Sequence, residues 1–449
     1  LNLDGGTTWT ARAPMPNPRN HLVGAALDGK AYAIGGQHNE NESSGLQSDV
    51  HRYDPATDTW TEVADLPVAR SHTAVVVRDG SILVLGGTNP GNKASSDVTA
   101  YHPEVDVWTA LPSLPGARKT PVAALVGDRV YVSTGSHAVS TWEGRFARRW
   151  ETGPAMPVAL GEVAGGVVGT TLYLVGESNN ATLALDLSTG TWRQNLPVRP
   201  HVGHHHAAEV VDGRLYLIGG LGGGSAGKVQ IYDPTTNSWT LGAGMPFAAG
   251  SSSTSVIHGR IYAAGGIIGS STTARSAVYD PASNSWTEIA PMPAGRNHAA
   301  AATDGTRMYV AGGRGAGSGD GNVVANGYDD LQVYDPGTNT WRSSRDPGSG
   351  LTPLPQARGG TGKAVVHDGE LYVFGGETQD GAGANAQRVY HRVDVYDPAT
   401  DSWRLGTPMP TARHGIFPLL VGNRIVVAGG GTRAGYSASS VVEIYNPTG

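Results

Sequence analysis

The chain has no cysteine at all. Disulfides and thiolate chemistry are excluded, while both oxidising and reducing compartments stay open. Charge is scarce as well: 16% of the 449 residues are Asp, Glu, Lys or Arg, and the net charge is −6 with no basic run. Nucleic acid and anionic membrane surfaces are therefore not expected as partners. No stretch approaches the roughly 18 apolar residues of a membrane span, so no membrane insertion is expected. There is no P-loop, no nucleotide fingerprint and no Ser-His-Asp motif; the run Gly219-Gly220-Leu221-Gly222-Gly223-Gly224 belongs to a repeated turn. The chain opens at Leu1 without Met or a signal segment. This reads as a trimmed, exported product, extracellular or periplasmic, with a cytoplasmic one as the alternative.

What the chain does have is 65 Gly and 28 Pro, set between regular short apolar runs. One unit repeats along its whole length. A Pro-containing turn, often with Arg and His, leads into a strand of small residues and a DG-like turn. A second strand ends in Gly-Gly, a third ends in Tyr-Asp-Pro, and a fourth carries Trp. Gly-Gly stands at 35–36, 86–87, 219–220, 265–266, 312–313, 375–376 and 429–430. Tyr and Trp keep an offset of seven: Tyr53 and Trp60, Tyr101 and Trp108, Tyr232 and Trp239, Tyr279 and Trp286, Tyr334 and Trp341, Tyr396 and Trp403. Trp150 and Trp192 continue the series where Tyr is lost. Each mark has a physical reason. Gly admits left-handed backbone and close approach. Pro stops a strand, because it cannot donate to the ladder. Rings on alternating faces can pack between neighbouring sheets.

This pattern resembles the kelch repeat, whose period is about 50 residues. The resemblance implies an all-β fold: a single closed β-propeller over residues 1–449. Nine Trp-bearing fourth strands, starting at Trp9, predict nine four-stranded blades, with eight as the alternative. The unpaired fourth strand around Trp9 and the unpaired third strand ending at Tyr445 predict the closure: one blade shared by residues 1–13 and 413–449.

The resemblance further implies that the turn entering the first strand and the loop after Gly-Gly open on one face. Three such loops are long: Gln37 to Ser48, Arg314 to Leu331, and Glu377 to Arg392. They carry His38, Asp320, Tyr328, Asp329, Asp330, Tyr390 and His391. Aligning the repeats puts one residue per blade at the mouth of the first strand: His21, His72, Thr120, Glu162, His205, Ser251, His298, Thr361 and Gly415. Two residues earlier come Arg19, Arg70, Arg118 and Arg296, with Arg358 and Arg413 close to the same slot. Two readings of this Arg/His set stand side by side. It could hold an anionic ligand, or the arginines could brace backbone carbonyls of adjacent blades. The His204-His205-His206 run cannot present all three rings to one side of a strand. No metal and no cofactor is assigned.

The resemblance extends to the galactose oxidase propeller, but its Tyr–Cys radical copper chemistry is excluded here by the absence of Cys. The expected function is recognition of a glycan or protein, possibly anionic, by a monomer through the loop face. The alternatives are an enzyme on acidic sugars (a mutarotase or polysaccharide lyase) using His, Tyr or Arg at the channel mouth, and a structural or assembly module. A pocket with two or more close His, Tyr or Glu side chains would favour the enzyme.

Overall fold

The computed structural model describes residues 9–38, 45–104, 106–135, 138–146, 149–177, 179–315, 327–378 and 388–448. Among these there is no helix; the chain is a succession of short antiparallel strands. It divides into two compact units, Leu1–Arg148 and Arg149–Gly449.

The repeat folds locally as its residues require. The DG-like turns place Asp28, Asp79 and Asp212 in left-handed backbone at φ 51°, 48° and 48°, a conformation Asp tolerates better than most residues. The first Gly of each Gly-Gly is left-handed for a tertiary reason too. A Cβ on Gly265 (φ +68°) would lie 2.4 Å from the Arg296 carbonyl oxygen, one repeat further on. Tyr and Trp sit directly opposite one another on the third and fourth strands, as in Tyr279 and Trp286, with ring centroids 5.1 Å apart. Each such Trp donates its Nε1–H to a carbonyl of the preceding repeat: Trp239 to Pro197, Trp286 to Ala243, Trp341 to Ala290. One indole thus fills the space between sheets and ties them together.

The first unit holds two four-stranded sheets and one three-stranded sheet, whose first strands are Val23–Leu27, Ala74–Arg78 and Val122–Val126. The second holds six four-stranded sheets. Their inner strands are Gly161–Val168, Ala207–Val211, Ser253–Ile257, Ala300–Thr303, Val365–His367 and Leu419–Val421. Each lies beside the next, and the last lies beside the first. Ala164, Leu172 and Leu174 of the first of these sheets share a buried cluster with Leu419, Val426 and Ala428 of the last.

The closing strand corrects the sequence reading. Val442–Tyr445 pairs with Trp150–Thr152, with Trp150 opposite Tyr445. Trp150 packs at a tilt on Tyr445, ring centroids 4.8 Å apart, and donates to the Thr407 carbonyl, the same tie the other indoles make to the preceding repeat. The place expected for residues 1–10 is therefore filled from the middle of the chain. Of residues 1–13, those described (9–13) form no strand. The cause lies in the Tyr–Trp rule. The strand Thr141–Arg145 carries no Tyr to face Trp150, whereas Tyr445 lacks a Trp. Within the second unit the six four-stranded sheets thus follow one another in a circuit, the last beside the first.

Candidate functional site

The aligned mouth residues share one backbone geometry. His21, His72, Thr120, Glu162, His205, Ser251, His298 and Gly415 all have φ between 40° and 57°. Thr361 departs: its neighbours Gly360 (φ 69°) and Gly362 (φ 65°) are left-handed instead. In the second unit these residues are linked by backbone hydrogen bonds from sheet to sheet. Ser251 N donates to His205 O (2.8 Å), His298 N to Ser251 O (3.3 Å), Gly360 N to His298 O (3.0 Å), Gly415 N to Gly360 O (2.7 Å), and Val163 N to Gly415 O (2.9 Å). The left-handed turns set the side chains of Glu162, His205, Ser251 and His298 around one cavity.

The result is a cavity of about 60 Å³ lined by Glu162, His205, Ser251, His298, Gly360 and Gly415. Its floor is Lys363, whose Nζ lies 2.5 Å from the buried Glu209; Thr254 Oγ1 donates to the other Glu209 oxygen (2.9 Å). Lys363 also lines a second cavity of about 320 Å³ among the small and apolar residues of the inner strands. Among the described residues, no Tyr and no Arg lines the mouth cavity.

Within the mouth, Glu162 Oε2 is 3.4 Å from His205 Nε2, and Glu162 Oε1 is 3.9 Å from His414 Nε2. His205 and His298 meet edge to face at 4.8 Å, and His298 Nε2 is 3.3 Å from Ser251 Oγ. His204 Nδ1 contacts His205 Nδ1 and lies 4.0 Å from Glu177. Behind these, His414 Nε2 is 3.6 Å from Glu377, which pairs with Arg314. Burial pushes His205 down to about 4, against the partial opposition of Glu162, and pushes His298 well below the usual imidazole range. Burial would raise Glu162, but His205, His414 and Arg314 together hold it below the usual carboxylate range. Burial, then the charge of Glu162, raises Glu177 to about 7. Near neutral pH Glu162 is thus an ionised carboxylate beside the neutral imidazoles of His205 and His298.

The arginines lie elsewhere. Arg70, Arg296, Arg358 and Arg413 are fully buried, and Arg19 nearly so. Each reaches the carbonyl of the first Gly of its own Gly-Gly: Arg19 to Gly35, Arg70 to Gly86, Arg296 to Gly312, Arg358 to Gly375, Arg413 to Gly429. Three also form buried ion pairs: Arg296 with Asp330 (2.6 Å), Arg358 with Asp394 (2.7 Å) and Arg413 with Glu443 (2.7 Å). Arg118 stacks on Trp142 at 3.8 Å and donates to Ser140. Five of the six are thus buried against carbonyls of their own repeat, Arg118 is partly exposed, and the mouth cavity is lined by Glu162, His205 and His298. His21 and His72 stack on one another at 4.0 Å in the first unit.

The long loops contribute braces where they are described. Asp330 is buried against Arg296, Tyr328 lies 4.8 Å from the Arg296 guanidinium, Tyr390 is buried, and His391 bonds the Met409 carbonyl. Asp320 falls outside the described residues. The alignment overlooked His204, Glu177, His414, Glu377 and Arg314. Four of them follow from two neighbouring slots: His204 and His414 directly precede mouth residues, and Arg314 and Glu377 directly follow Gly-Gly. These slots pair across the turn, as at His204 with Leu221, Asn297 with Arg314 and His414 with Gly431. Glu177 follows the degenerate Val175-Gly176 in the same way.

Repeated antiparallel sheets around a polar mouth define a β-propeller protein. Three family models match along the chain: the Attractin/LZTR1 beta-propeller over residues 163–379, the KLHDC2/KLHL20/DRC7 Kelch-repeats domain over 5–135, and the Kelch motif over 362–410. The chain belongs to the kelch-repeat family. It is similar to Kelch-like protein terF of Aspergillus terreus, 27% identical over 354 residues, which cover 73% of this chain and 74% of that protein. Kelch-like protein 36 of Bos taurus is 26% identical over 54% of this chain, the match spanning 42% of that protein. N-acetylneuraminate epimerase of Shigella sonnei is 34% identical over 84 residues, 18% of this chain and 23% of the epimerase. The solved structure of YjhT shares the fold at a TM-score of 0.55 and 20% identity, covering 65% of this chain and 96% of its own.

Proposed function

We propose that the Arg149–Gly449 unit is an enzyme that opens and recloses the ring of a single small sugar, exchanging its anomers. Ring opening breaks the bond between the anomeric carbon and the ring oxygen. It needs one group to take the anomeric hydroxyl proton and another to deliver a proton to the ring oxygen. The observation that carries this reading is the mouth cavity, where ionised Glu162 stands 3.4 Å from neutral His205 beside His298 and Ser251. Its size suits the reactive end of one sugar rather than a polysaccharide chain. The short match to N-acetylneuraminate epimerase supports the substrate class. Because five of the six arginines are buried against carbonyls and none is among the described residues lining the cavity, neutral sugars stand beside acidic ones as candidates. Anomer exchange of N-acetylneuraminate, galacturonate and galactose, followed by NMR at catalytic protein concentration, tests it. Acceleration of at least one sugar is expected, falling about 10²–10⁴-fold in Glu162→Gln with the melting temperature unchanged. No acceleration of any sugar would refute it.

The second reading, recognition of a protein, is favoured by the Kelch-like relatives and by the three long loops after Gly-Gly. Shortening the segments 39–44, 316–326 and 379–387 separates the two. Protein recognition predicts loss of partner capture, and sugar conversion predicts unchanged anomer exchange.

A further inference from the structure

We infer that Glu162, His205 and His298 form a site for one divalent transition-metal ion of the Zn²⁺ class. The inference concerns the same cavity as the sugar reading but stands on donor geometry alone. One ligand atom from each of the three residues lies within 4.8 Å of the other two. The best-defined edge, Glu162 Oε2 to His205 Nε2, is 3.4 Å. Two donors at about 2.0–2.1 Å from a tetrahedral ion stand roughly 3.3–3.4 Å apart, so this edge already has the length a bound ion requires. The three donors come from three separate sheets of a closed ring, and the left-handed turns at 162, 205 and 298 hold them in place.

The outer contacts fit the assignment. His298 Nδ1 meets Asn297 Oδ1 at 2.5 Å, and the Asn297 amide is oriented by donating through Nδ2 to Thr272 Oγ1 at 2.9 Å. An amide oxygen on Nδ1 fixes the tautomer that leaves Nε2 as a lone-pair donor, as a supporting contact to a metal-bound histidine does. The surroundings also favour a cation: Glu177 and Glu377 lie close behind, and the nearby Arg314 and Lys363 are taken up by Glu377 and Glu209. Two imidazoles and one carboxylate select a transition metal over Mg²⁺ or Ca²⁺, which prefer all-oxygen sets. Three protein ligands beside a cavity of about 60 Å³ leave a position open to water or a sugar hydroxyl, the arrangement of a reactive rather than a closed structural site.

The test uses the full chain without an affinity tag, stripped with chelator and titrated with Zn²⁺ by calorimetry, with bound metal counted by elemental analysis and Co²⁺ read by visible absorption. One ion per chain is expected. Glu162→Gln and His298→Ala should each weaken binding more than about 100-fold, and Asn297→Ala about 10–100-fold, while circular dichroism stays unchanged. An overlapping set, Glu177, His204 and His205, is the internal competitor. If His204→Ala or Glu177→Gln abolishes binding while His298→Ala does not, the assignment is overturned. It is overturned equally if the folded, stripped protein takes up no ion at micromolar Zn²⁺, or if His298→Ala keeps full stoichiometry and affinity. Anomer exchange by a protein that takes up no ion would count against the metal only. A bound ion without any sugar turnover would count against the sugar reading only.

Discussion

The mouth position takes the same left-handed turn in both units, yet the outcomes differ. In the first unit it places His21 and His72 face to face at 4.0 Å, with Thr120 exposed on the third sheet. Glu162, the single carboxylate among the aligned positions, belongs to the second unit. There the turn brings Glu162, His205 and His298 together from three sheets of a closed circuit. The local geometry is therefore a property of the repeat, and the chemistry is a property of closure. A residue at this slot meets partners across the axis only where inner strands return on themselves.

The largest effect expected from breaking this contrast lies in the braces. Arg296→Ala should cost about 3–5 kcal/mol, because it removes the buried partner of the fully buried Asp330 and leaves it only the exposed Arg345, 3.6 Å away. Thermal or denaturant unfolding of the full chain checks this, and a loss below about 1 kcal/mol would return Arg296 to the list of ligand-binding candidates. The pH sign follows. Burial raises the Asp330 carboxyl, but the hydrogen bond and charge of Arg296 outweigh it and hold it below its ordinary value. Its contribution is thus present above the unfolded carboxylate pKa of about 4 and is lost as pH falls through the folded one. Arg296→Ala should flatten that acid limb of the stability curve.

Next comes the closing strand. Trp150→Ala removes the ring packed on Tyr445 and the tie to Thr407, and should cost about 3 kcal/mol. Trp9→Ala, at an indole 84% exposed, should cost less than about 0.5 kcal/mol. Equal losses from the two would restore the closure expected at the N-terminus. A smaller effect is expected at Gly265, where Ala must adopt φ +68° with its Cβ 2.4 Å from a carbonyl oxygen. A loss of about 1–3 kcal/mol in unfolding measurements is predicted.

These cases mark what the sequence makes legible. The period, the strand order within a sheet and the mouth slot are local, so Gly-Gly and the Tyr–Trp offset expose them; even the left-handed turn recurs at eight of the nine aligned residues. The closing partner is not local. Trp150 is equally good as the fourth strand of the third repeat or of the last, and only the missing Tyr in Thr141–Arg145 decides. The arginine roles were ambiguous for another reason. An Arg two residues before the mouth can point either way, and the acids Asp330, Asp394 and Glu443, on or just before the third strands, lie 30 to 36 residues from the three arginines they pair with. Glu177 and His204 escaped because the alignment weighed one slot, whereas the site is built from that slot and its two cross-turn neighbours.

The smallest expected effect is the sharpest test of the contrast itself. His72→Ala removes a ring stacked on His21 in a partly exposed pair, so unfolding should shift by no more than about 1 kcal/mol. It occupies the same slot as His205 and His298, with the same left-handed turn at φ 55°. If the slot alone conferred chemistry, His72→Ala would lower Zn²⁺ affinity or anomer exchange as His298→Ala does. If closure confers it, both should stay within about twofold of the parent, since the cavity around Glu162 is lined by side chains of the second unit's own sheets. Measuring His72→Ala and His298→Ala side by side, with unfolding, Zn²⁺ calorimetry and anomer exchange on each, separates the two cases. A His72→Ala protein that folds like its parent but loses metal or turnover would show that the first unit takes part in the site.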